Sequence, residues 1–262
     1  MSTSAAPPPG RVAIAGRLRA AGCVFAEDEA QLLVDSADTL AALLAMVEQR
    51  VAGLPLEHVV GWVDFCGLRI LVDPGVFVPR RRSELLVLRA AAVAVPGATV
   101  VDLACGSGAV GAAVVARVGG VALHAADIEP AAVRCARRNL AAAGGQVYAG
   151  DLYGPLPLRL RGHVDVLVAN APYVPSAAIG LLPPEARVHE PLVALDGGVD
   201  GLDVIRRVAA GAPGWLAPGG HLLVETGADQ AEAAASLFAA AGLTPSVATD
   251  EGLAATVVIG RR

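Results

Sequence analysis

From about residue 84 to the C-terminus, short β-branched and aliphatic runs alternate with alanine-rich stretches of helical period, such as residues 109–118 and 130–143. Six of the runs have the length and composition of strands: residues 98–103, 121–126, 146–149, 164–169, 220–225 and 255–259. Strands that alternate with helices predict an α/β fold with a parallel, doubly wound sheet built by right-handed crossovers. Ligands of such sheets bind at the carboxyl ends of the strands, so we expect a binding site there.

The N-terminal part of the chain has a helical rather than a strand-like period. Between residues 11 and 60, apolar residues recur at i, i+3 and i+4, which predicts a small helical domain. Asp38 or Thr39 can cap its last long helix, and Gly53-Leu54-Pro55 ends that helix.

A β-hairpin is predicted to link the helical domain to the main one. Two short apolar runs within residues 61–78 are joined at Cys66-Gly67, a turn-forming pair. Residues 79–262 then form the main domain. Residues 1–10, which include three consecutive prolines, are predicted to be a flexible tail.

Composition restricts the class of protein. Of the 262 residues, 55% are hydrophobic and 17% are charged, enough for a buried core. All 20 basic residues are arginine and the net charge is −5, which argues against a broad nucleic-acid surface. Proline and glycine interrupt each apolar run before it reaches bilayer-spanning length, and no signal peptide is evident, so we expect a cytoplasmic protein. The four cysteines and five histidines have no metal-ligand spacing, so no metal site is predicted.

A glycine-rich loop follows the first strand of the main domain. Asp102 lies in this strand, and the loop is Ala104-Cys105-Gly106-Ser107-Gly108. Its glycines allow the backbone to approach a ligand and to turn into a helix N-terminus. Asp127 ends the next strand, where a carboxylate can bind both ribose hydroxyls of a nucleoside. The loop must therefore be considered as a cofactor site.

The loop pattern fits NAD as well as S-adenosylmethionine, and Asp102 distinguishes the two. A carboxylate at this point would repel a pyrophosphate but attract the ammonium group of a methionine moiety. Together with Asp127 it favours S-adenosylmethionine, although a strand-end aspartate can also serve only as a helix cap. After the third strand, Asp151 could accept a hydrogen bond from the adenine amino group while Leu152 packs on the ring; a simple turn is the alternative.

The fourth strand ends in Asn170-Ala171-Pro172-Tyr173, a string that suits a planar nitrogen nucleophile. The Asn170 side-chain oxygen and the carbonyl of Ala171 can each accept one N–H of an amide or aromatic amine. Pro172 stiffens the backbone, and Tyr173 can stack on the flat group. Isolated, such a string is usually a turn, but its position beside the expected cofactor favours a catalytic and substrate-binding role.

With these motifs the chain resembles the HemK/PrmC family of protein-(glutamine-N(5)) methyltransferases from about Glu29 onward. Besides the glycine loop, Asp127 and the 170–173 string, the resemblance rests on several stretches: Arg50 to Leu56 with Gly61, Val76 to Arg80 with Ser83-Glu84, Glu190 to Gly198 with Asp200 to Asp203, Leu216 to Gly220, and Glu225 to Gln230. It implies a seven-stranded, Rossmann-like class I methyltransferase sheet. It also implies S-adenosylmethionine contacts at Ala104 to Gly108, Asp127, Leu152 and Asn170, a glutamine amide held at Asn170 to Tyr173, and a peptide-chain release factor as substrate.

Three departures from the family pattern affect this interpretation. Ala171 replaces a proline but still provides a backbone carbonyl. Arg81-Arg82 changes the charge near the expected substrate entrance, where the run from Arg80 to Arg82 is either a contact patch or a solvated loop. The helical N-terminal region is shorter than the family's release-factor-binding domain, so another translation protein with an exposed glutamine is an alternative partner.

Two other functions remain open at this point. An adenine N(6) methyltransferase would use the Asn170 to Tyr173 string equally well, but base-flipping enzymes need a basic cleft. A non-catalytic module that binds S-adenosylmethionine would explain Ala171 but not Asn170. Glu190 either orders a loop over the site or takes part in catalysis.

Overall fold

The N-terminal helices pack around an apolar core of their own. In the computed structural model, which describes residues 10–262, they are α1 (Arg11–Ala20), α2 (Ala26–Ser36), α3 (Leu40–Val51) and α4 (Leu56–Val60). Ile14, Leu18, Leu33 and Val47 are almost fully buried between them. Of the two residues considered as caps, Thr39 takes the role, because its hydroxyl accepts the Ala42 N–H at 3.1 Å.

A two-stranded antiparallel sheet follows, with β1 (Trp62–Phe65) paired to β2 (Leu68–Leu71) across the turn at Cys66-Gly67. The predicted hairpin is therefore present. The predicted flexible tail falls almost wholly on residues 1–9, which lie outside the described residues. The domain boundaries at 60 and 78 stay a prediction.

A seven-stranded sheet dominates the rest of the chain, as the resemblance implied. Its strands are β3 (Thr99–Leu103), β4 (Ala122–Asp127), β5 (Gln146–Ala149), β6 (Val164–Ala169), β7 (Leu216–Thr226), β8 (Thr244–Asp250) and β9 (Ala255–Arg261). Their order is β5-β4-β3-β6-β7-β9-β8. The helices around the sheet are α5 (Glu84–Val93), α6 (Ala109–Val118), α7 (Pro130–Leu140), α8 (Pro184–His189), α9 (Asp203–Gly211) and α10 (Ala231–Ala240). Apolar clusters cover both faces, so the doubly wound arrangement is confirmed.

The sheet is mixed, which corrects the prediction of a wholly parallel one. Strands β3 to β7 pair in parallel, but β9 runs antiparallel to both β7 and β8. After α10 the chain passes to the edge as β8 and returns through residues 251–254 as β9. Strand β8 escaped the sequence analysis because it is Thr-Pro-Ser-Val-Ala-Thr-Asp, an edge strand without an apolar run.

None of the helices within residues 10–262 is both long and apolar enough to cross a bilayer. Over the same residues, no group of three or more His, Cys, Asp or Glu side chains is placed to hold a metal ion.

The cap of α3 gives a test of the N-terminal helices. Removing the Thr39 hydroxyl in Thr39→Ala leaves the Ala42 N–H without its partner, so we expect a loss of about 1 kcal/mol in the free energy of unfolding. Urea denaturation measures it. Thr39→Ser, which keeps the hydroxyl, is the control and should remain close to the original protein. Equal stability of the alanine and serine variants would contradict the assignment.

Candidate active site

A cavity opens at the carboxyl ends of β3, β4 and β6, and we call it the strand-end cavity. The register explains why residues distant in sequence meet there: Leu103 pairs with Ala126 on one side and with Ala169 on the other. The residues that come next in each chain segment therefore lie side by side at the edge of the sheet: Ala104, Asp127 and Asn170. All predicted cofactor residues except Gly108 line this cavity: Asp102, Ala104, Cys105, Gly106, Ser107, Asp127, Asp151, Leu152 and Asn170.

Asp127 holds the glycine loop in place by a hydrogen bond. One of its carboxylate oxygens accepts the Gly106 N–H at 2.8 Å, and the other accepts the Glu129 N–H at 2.9 Å. Burial raises the pKa of this carboxyl despite these two bonds. Each oxygen keeps a second lone pair, so the predicted contact with ribose hydroxyls stays open to it.

Asp102 takes the capping role that the sequence offered, and its contact with a cofactor ammonium stays a prediction. Its Oδ2 accepts the Gly111 N–H in the first turn of α6 at 2.9 Å, which is the capping role. It also lines the strand-end cavity. The side chain is almost fully buried, and this burial raises its pKa to about 7. A nearby cation would therefore favour the ionised form of the Asp102 carboxyl near neutral pH.

Gly108 has a packing role rather than a place in the cavity wall. It adopts φ +79° at the N-terminus of α6, and a Cβ there would lie 3.1 Å from Leu140 and 3.3 Å from Ala136 on α7. Its predicted cofactor contact stays a prediction that the cavity lining does not support.

Asp151 and Leu152 differ in their surroundings. Leu152 is buried against the main core. Asp151 is half-exposed and forms an ion pair with Arg207 of α9, another residue of the cavity wall. An adenine amino group would therefore compete with, or join, the Arg207 guanidinium at this carboxylate.

A second cavity adjoins the first, and we call it the Tyr173 cavity. Asn170, Ala171, Pro172 and Tyr173 all line it, so the predicted substrate residues are together. Asn170 and Pro172, with Phe77 and Ala194, line both cavities. The two cavities thus adjoin along these four residues, and Asn170 is one of them.

Ser83 fixes the orientation of the Asn170 amide. The Asn170 Nδ2 donates to Ser83 Oγ at 3.1 Å, and the serine is 1% exposed. In this orientation the amide nitrogen is occupied and, among residues 10–262, no donor is bonded to Asn170 Oδ1. The oxygen is the atom that a substrate N–H needs.

Tyr173 is anchored at both ends. Its hydroxyl donates to Glu225 Oε1 at 3.0 Å, and its carbonyl accepts Gln230 Nε2 at 2.9 Å. Arg82 donates to the same Glu225 oxygen at 3.1 Å, with its guanidinium 5.7 Å from the centre of the Tyr173 ring. Burial raises the pKa of Tyr173, so the phenol is neutral at physiological pH.

The three arginines of the run from Arg80 to Arg82 have different surroundings. Arg80 and Arg82 line the Tyr173 cavity, and Arg81 is exposed. Arg80 Nη2 donates to Glu190 Oε1 at 2.6 Å, and the Val78 N–H donates to the same oxygen at 3.1 Å. Glu190, whose side chain is fully buried, therefore holds the segment before Arg80 against the loop that follows α8.

Comparisons with known proteins agree on the class of protein. The Methyltransferase small domain family matches residues 67–181. A release factor glutamine methyltransferase of Geobacter sulfurreducens is 35% identical over 227 residues, which cover 86% of this chain and 79% of the relative. One from Mycolicibacterium smegmatis is 41% identical over 199 residues, or 74% of this chain and 70% of the relative. The chain belongs to the release factor glutamine methyltransferase family.

Solved structures of other methyltransferases have the same fold as this methyltransferase. A methyltransferase from Pyrococcus furiosus superimposes with a TM-score of 0.57 at 17% identity, covering 74% of this chain and 89% of that one. A ribosomal protein L11 methylase from Lactobacillus delbrueckii subsp. bulgaricus gives 0.53, also at 17% identity, covering 73% and 84%. The class I methyltransferase fold predicted from the resemblance is confirmed, and so is the family.

Sequence reasoning gave no role to three polar residues of the methyltransferase's site: Ser83, Glu225 and Gln230. All three lie in stretches that carry the family resemblance, which was the available signal. Their roles depend on hydrogen bonds to residues 52 to 87 positions away, which no local pattern reveals.

Ser83 gives the methyltransferase a test of amide orientation. In Ser83→Ala the Asn170 amide loses its partner and can rotate, so we expect kcat to fall about tenfold while cofactor affinity changes by less than about twofold. Steady-state kinetics and calorimetry measure the two quantities. Ser83→Thr, which keeps the hydroxyl, should retain most of the activity. A kcat of Ser83→Ala equal to that of the original enzyme would rule out this role of the hydroxyl.

Proposed function

We propose that this methyltransferase transfers the methyl group of S-adenosylmethionine to the side-chain amide nitrogen of a glutamine in a protein, with a peptide-chain release factor as the first substrate to test. One observation carries the proposal: the strand-end and Tyr173 cavities meet at Asn170, whose carboxamide oxygen is left available by the bond to Ser83. A donor in one space and an amide in the other would be in contact at that residue.

The strand-end cavity has groups that suit the charge and shape of S-adenosylmethionine. Its wall is largely apolar, with the buried carboxylates of Asp102 and Asp127 at the sheet edge. We assign Asp102 to the methionine ammonium, Asp127 to the ribose, and Asp151 with Leu152 to the adenine. When bound, S-adenosylmethionine supplies an electrophilic methyl group on a sulfonium.

The chain's own task is to hold the amide. Asn170 Oδ1 and the Ala171 carbonyl would each accept one N–H of the glutamine, and the anchored Tyr173 ring would confine its flat face. Alignment of this kind can supply roughly 7–11 kcal/mol of the barrier reduction. The amide nitrogen becomes acidic only as the N–C bond forms, so no strong base is required. The neutral Tyr173 and the paired Glu225 are consistent with a site that has none.

The charges around the Tyr173 cavity favour a protein over a nucleic acid. Arg80 and Arg82 pair with the buried Glu190 and Glu225. Glu190 lines the cavity together with Glu185 and Glu57, whereas Glu225 lies behind Arg82 and Tyr173. Glu185 pairs with Arg50, and Glu57 has no ion-pair partner among residues 10–262. Four carboxylates against three guanidinium groups leave the surroundings slightly acidic, whereas a phosphate backbone needs net positive charge. This argues against the adenine N(6) alternative.

Release factors come first because the relatives are named for them. Another translation protein with an exposed glutamine is the second partner to test, since Arg82 gives this cavity an ion pair that the family pattern lacks. With either substrate we expect the enzyme to act in the cytoplasm, where translation takes place. A non-catalytic module would bind the cofactor but methylate neither.

Mass mapping tests the reaction directly. Incubation with isotopically labelled S-adenosylmethionine and purified release factors should place a single methyl group on one glutamine. The same acceptor with that glutamine changed to glutamate is the matched control, because it has no amide nitrogen. Asn170→Ala should reduce the rate about a hundredfold or more, since it removes one of the two acceptors that align the amide. Label on lysine, on a carboxylate or on nucleic acid would contradict the proposal.

Asp102 predicts a pH dependence of cofactor affinity. The carboxyl has a pKa of about 7 in the free protein, and a bound ammonium favours its ionised form. Binding should therefore release a proton below this pKa, and affinity should rise with pH between about 5.5 and 7, where the ligand amine, with a pKa of about 7.7–8.0, stays charged. Above the pKa of Asp102 this contribution is complete.

Calorimetry over this pH range, in two buffers of different ionisation enthalpy, measures both the affinity and the proton release. Asp102→Asn keeps an oxygen for the Gly111 N–H but cannot titrate, so it should bind more weakly at neutral pH and lose the dependence. Asp127→Asn retains the Asp102 titration and should keep it. A pH profile unchanged in Asp102→Asn would exclude Asp102 as its source.

A further inference from the structure

The N-terminal helices form part of the Tyr173 cavity. Pro55 and Glu57, at the start of α4, lie in its wall together with Pro183, Glu185 and Ala186 of the α8 region. The space proposed for the glutamine is thus enclosed by segments more than a hundred residues apart. The shape of the cavity therefore depends on how these segments are held relative to each other.

A single buried guanidinium joins them. Arg50, in the last turn of α3, has a side chain that is only 7% exposed. Its Nε and Nη2 donate to the two oxygens of Glu29 on α2, at 2.6 and 3.2 Å. Its Nη1 donates to Glu185 on α8 at 2.6 Å and to the Leu54 carbonyl at 2.9 Å. The Arg50 guanidinium therefore links the N-terminal helices to the α8 segment of the cavity wall.

The geometry makes this contact directional. The paired bonds to Glu29 fix the plane of the guanidinium, which points Nη1 toward α8. The side chains of Arg50 and Glu29 are both shielded from solvent, so dissolved salt weakens this ion pair little. An ammonium group could not bond Glu29 through two atoms and Glu185 through a third.

Helix α8 has little else to hold it. It has six residues, and Ala186 alone among them is buried. Its other polar anchor is Glu190, immediately after it, which bonds Arg80 and the Val78 N–H. A short helix with few apolar contacts takes its position from such anchors.

We propose that Arg50 is a positioning residue for the protein acceptor: it sets α8 against the N-terminal helices and so preforms the Tyr173 cavity for a glutamine. The inference rests on the proposed function for its kinetic effect, but the placement of α8 does not depend on it. Arg50 itself does not line the cavity, so it acts through Glu185.

Three variants test this coupling. Glu185→Ala removes the α8 partner. The double variant Glu29→Leu with Arg50→Met replaces the buried pair by apolar side chains of similar size, so that the only carboxylate left unpaired is the half-exposed Glu185. The triple variant combines them. Glu48→Ala, which breaks the exposed pair between Arg17 and Glu48 within the N-terminal helices, is the matched control.

We expect the KM for the protein acceptor to rise about tenfold in Glu185→Ala and in the double variant, with kcat and cofactor affinity within about twofold of the original. The KM of the triple variant should be no higher than that of either of the other two, because all three variants break the same contact between Arg50 and Glu185. Glu48→Ala should behave as the original enzyme.

A second readout needs no acceptor. Hydrogen exchange of the α8 amides in the free enzyme should quicken in the same variants and not in Glu48→Ala. Unchanged exchange and KM would overturn the proposal, as would losses that multiply in the triple variant, since Glu185 would then contact the acceptor directly. Weakened cofactor binding together with the KM change would also overturn it, by indicating general loss of structure. An original enzyme that methylates no glutamine refutes the proposed function, whereas the exchange result still decides the role of Arg50.

Discussion

The parallel register of β3, β4 and β6 is the constraint on which the whole site depends. Because Leu103 is level with both Ala126 and Ala169, the three chain segments leave the sheet at one height. Asp127 and Asn170 are thereby brought beside the glycine loop, although the three motifs are far apart in the sequence. A shift of one residue in either pairing would turn these side chains to the opposite face of the sheet and dissolve the site.

Buried carboxylates organise the outer half of the site. Glu190 and Glu225 each use one oxygen to hold an arginine and a second donor, and the other oxygen of each is buried with no hydrogen-bond partner among residues 10–262. Buried carboxylates cost free energy to desolvate, and their bonds to the groups that they position offset part of this cost. Here they fix Arg80, Arg82 and Tyr173. The bonds to Tyr173 at both its ends supply rigidity to a loop in which Ala171 stands where the family pattern has a proline.

The sequence predicted what repeats locally and missed what depends on distance. Strand and helix periods identified the doubly wound sheet, and motif positions at strand ends brought together the residues around Asn170. Strand β8 was missed because an exposed edge strand has no apolar run. Gly108 was assigned to the cofactor by its motif, and the structure adds a packing contact with Leu140 that the motif did not indicate. The partners of Ser83 and Arg50, up to 135 residues away, follow from the tertiary fold alone.

The measurement that bears most directly on the central claim is a crystal structure with S-adenosylhomocysteine and a glutamine-containing release-factor peptide. We predict the cofactor product in the strand-end cavity, with the glutamine amide nitrogen within hydrogen-bond distance of both Asn170 Oδ1 and the Ala171 carbonyl. A structure in which Asn170 is turned away from the cofactor, or in which the glutamine lies outside the Tyr173 cavity, would contradict this account.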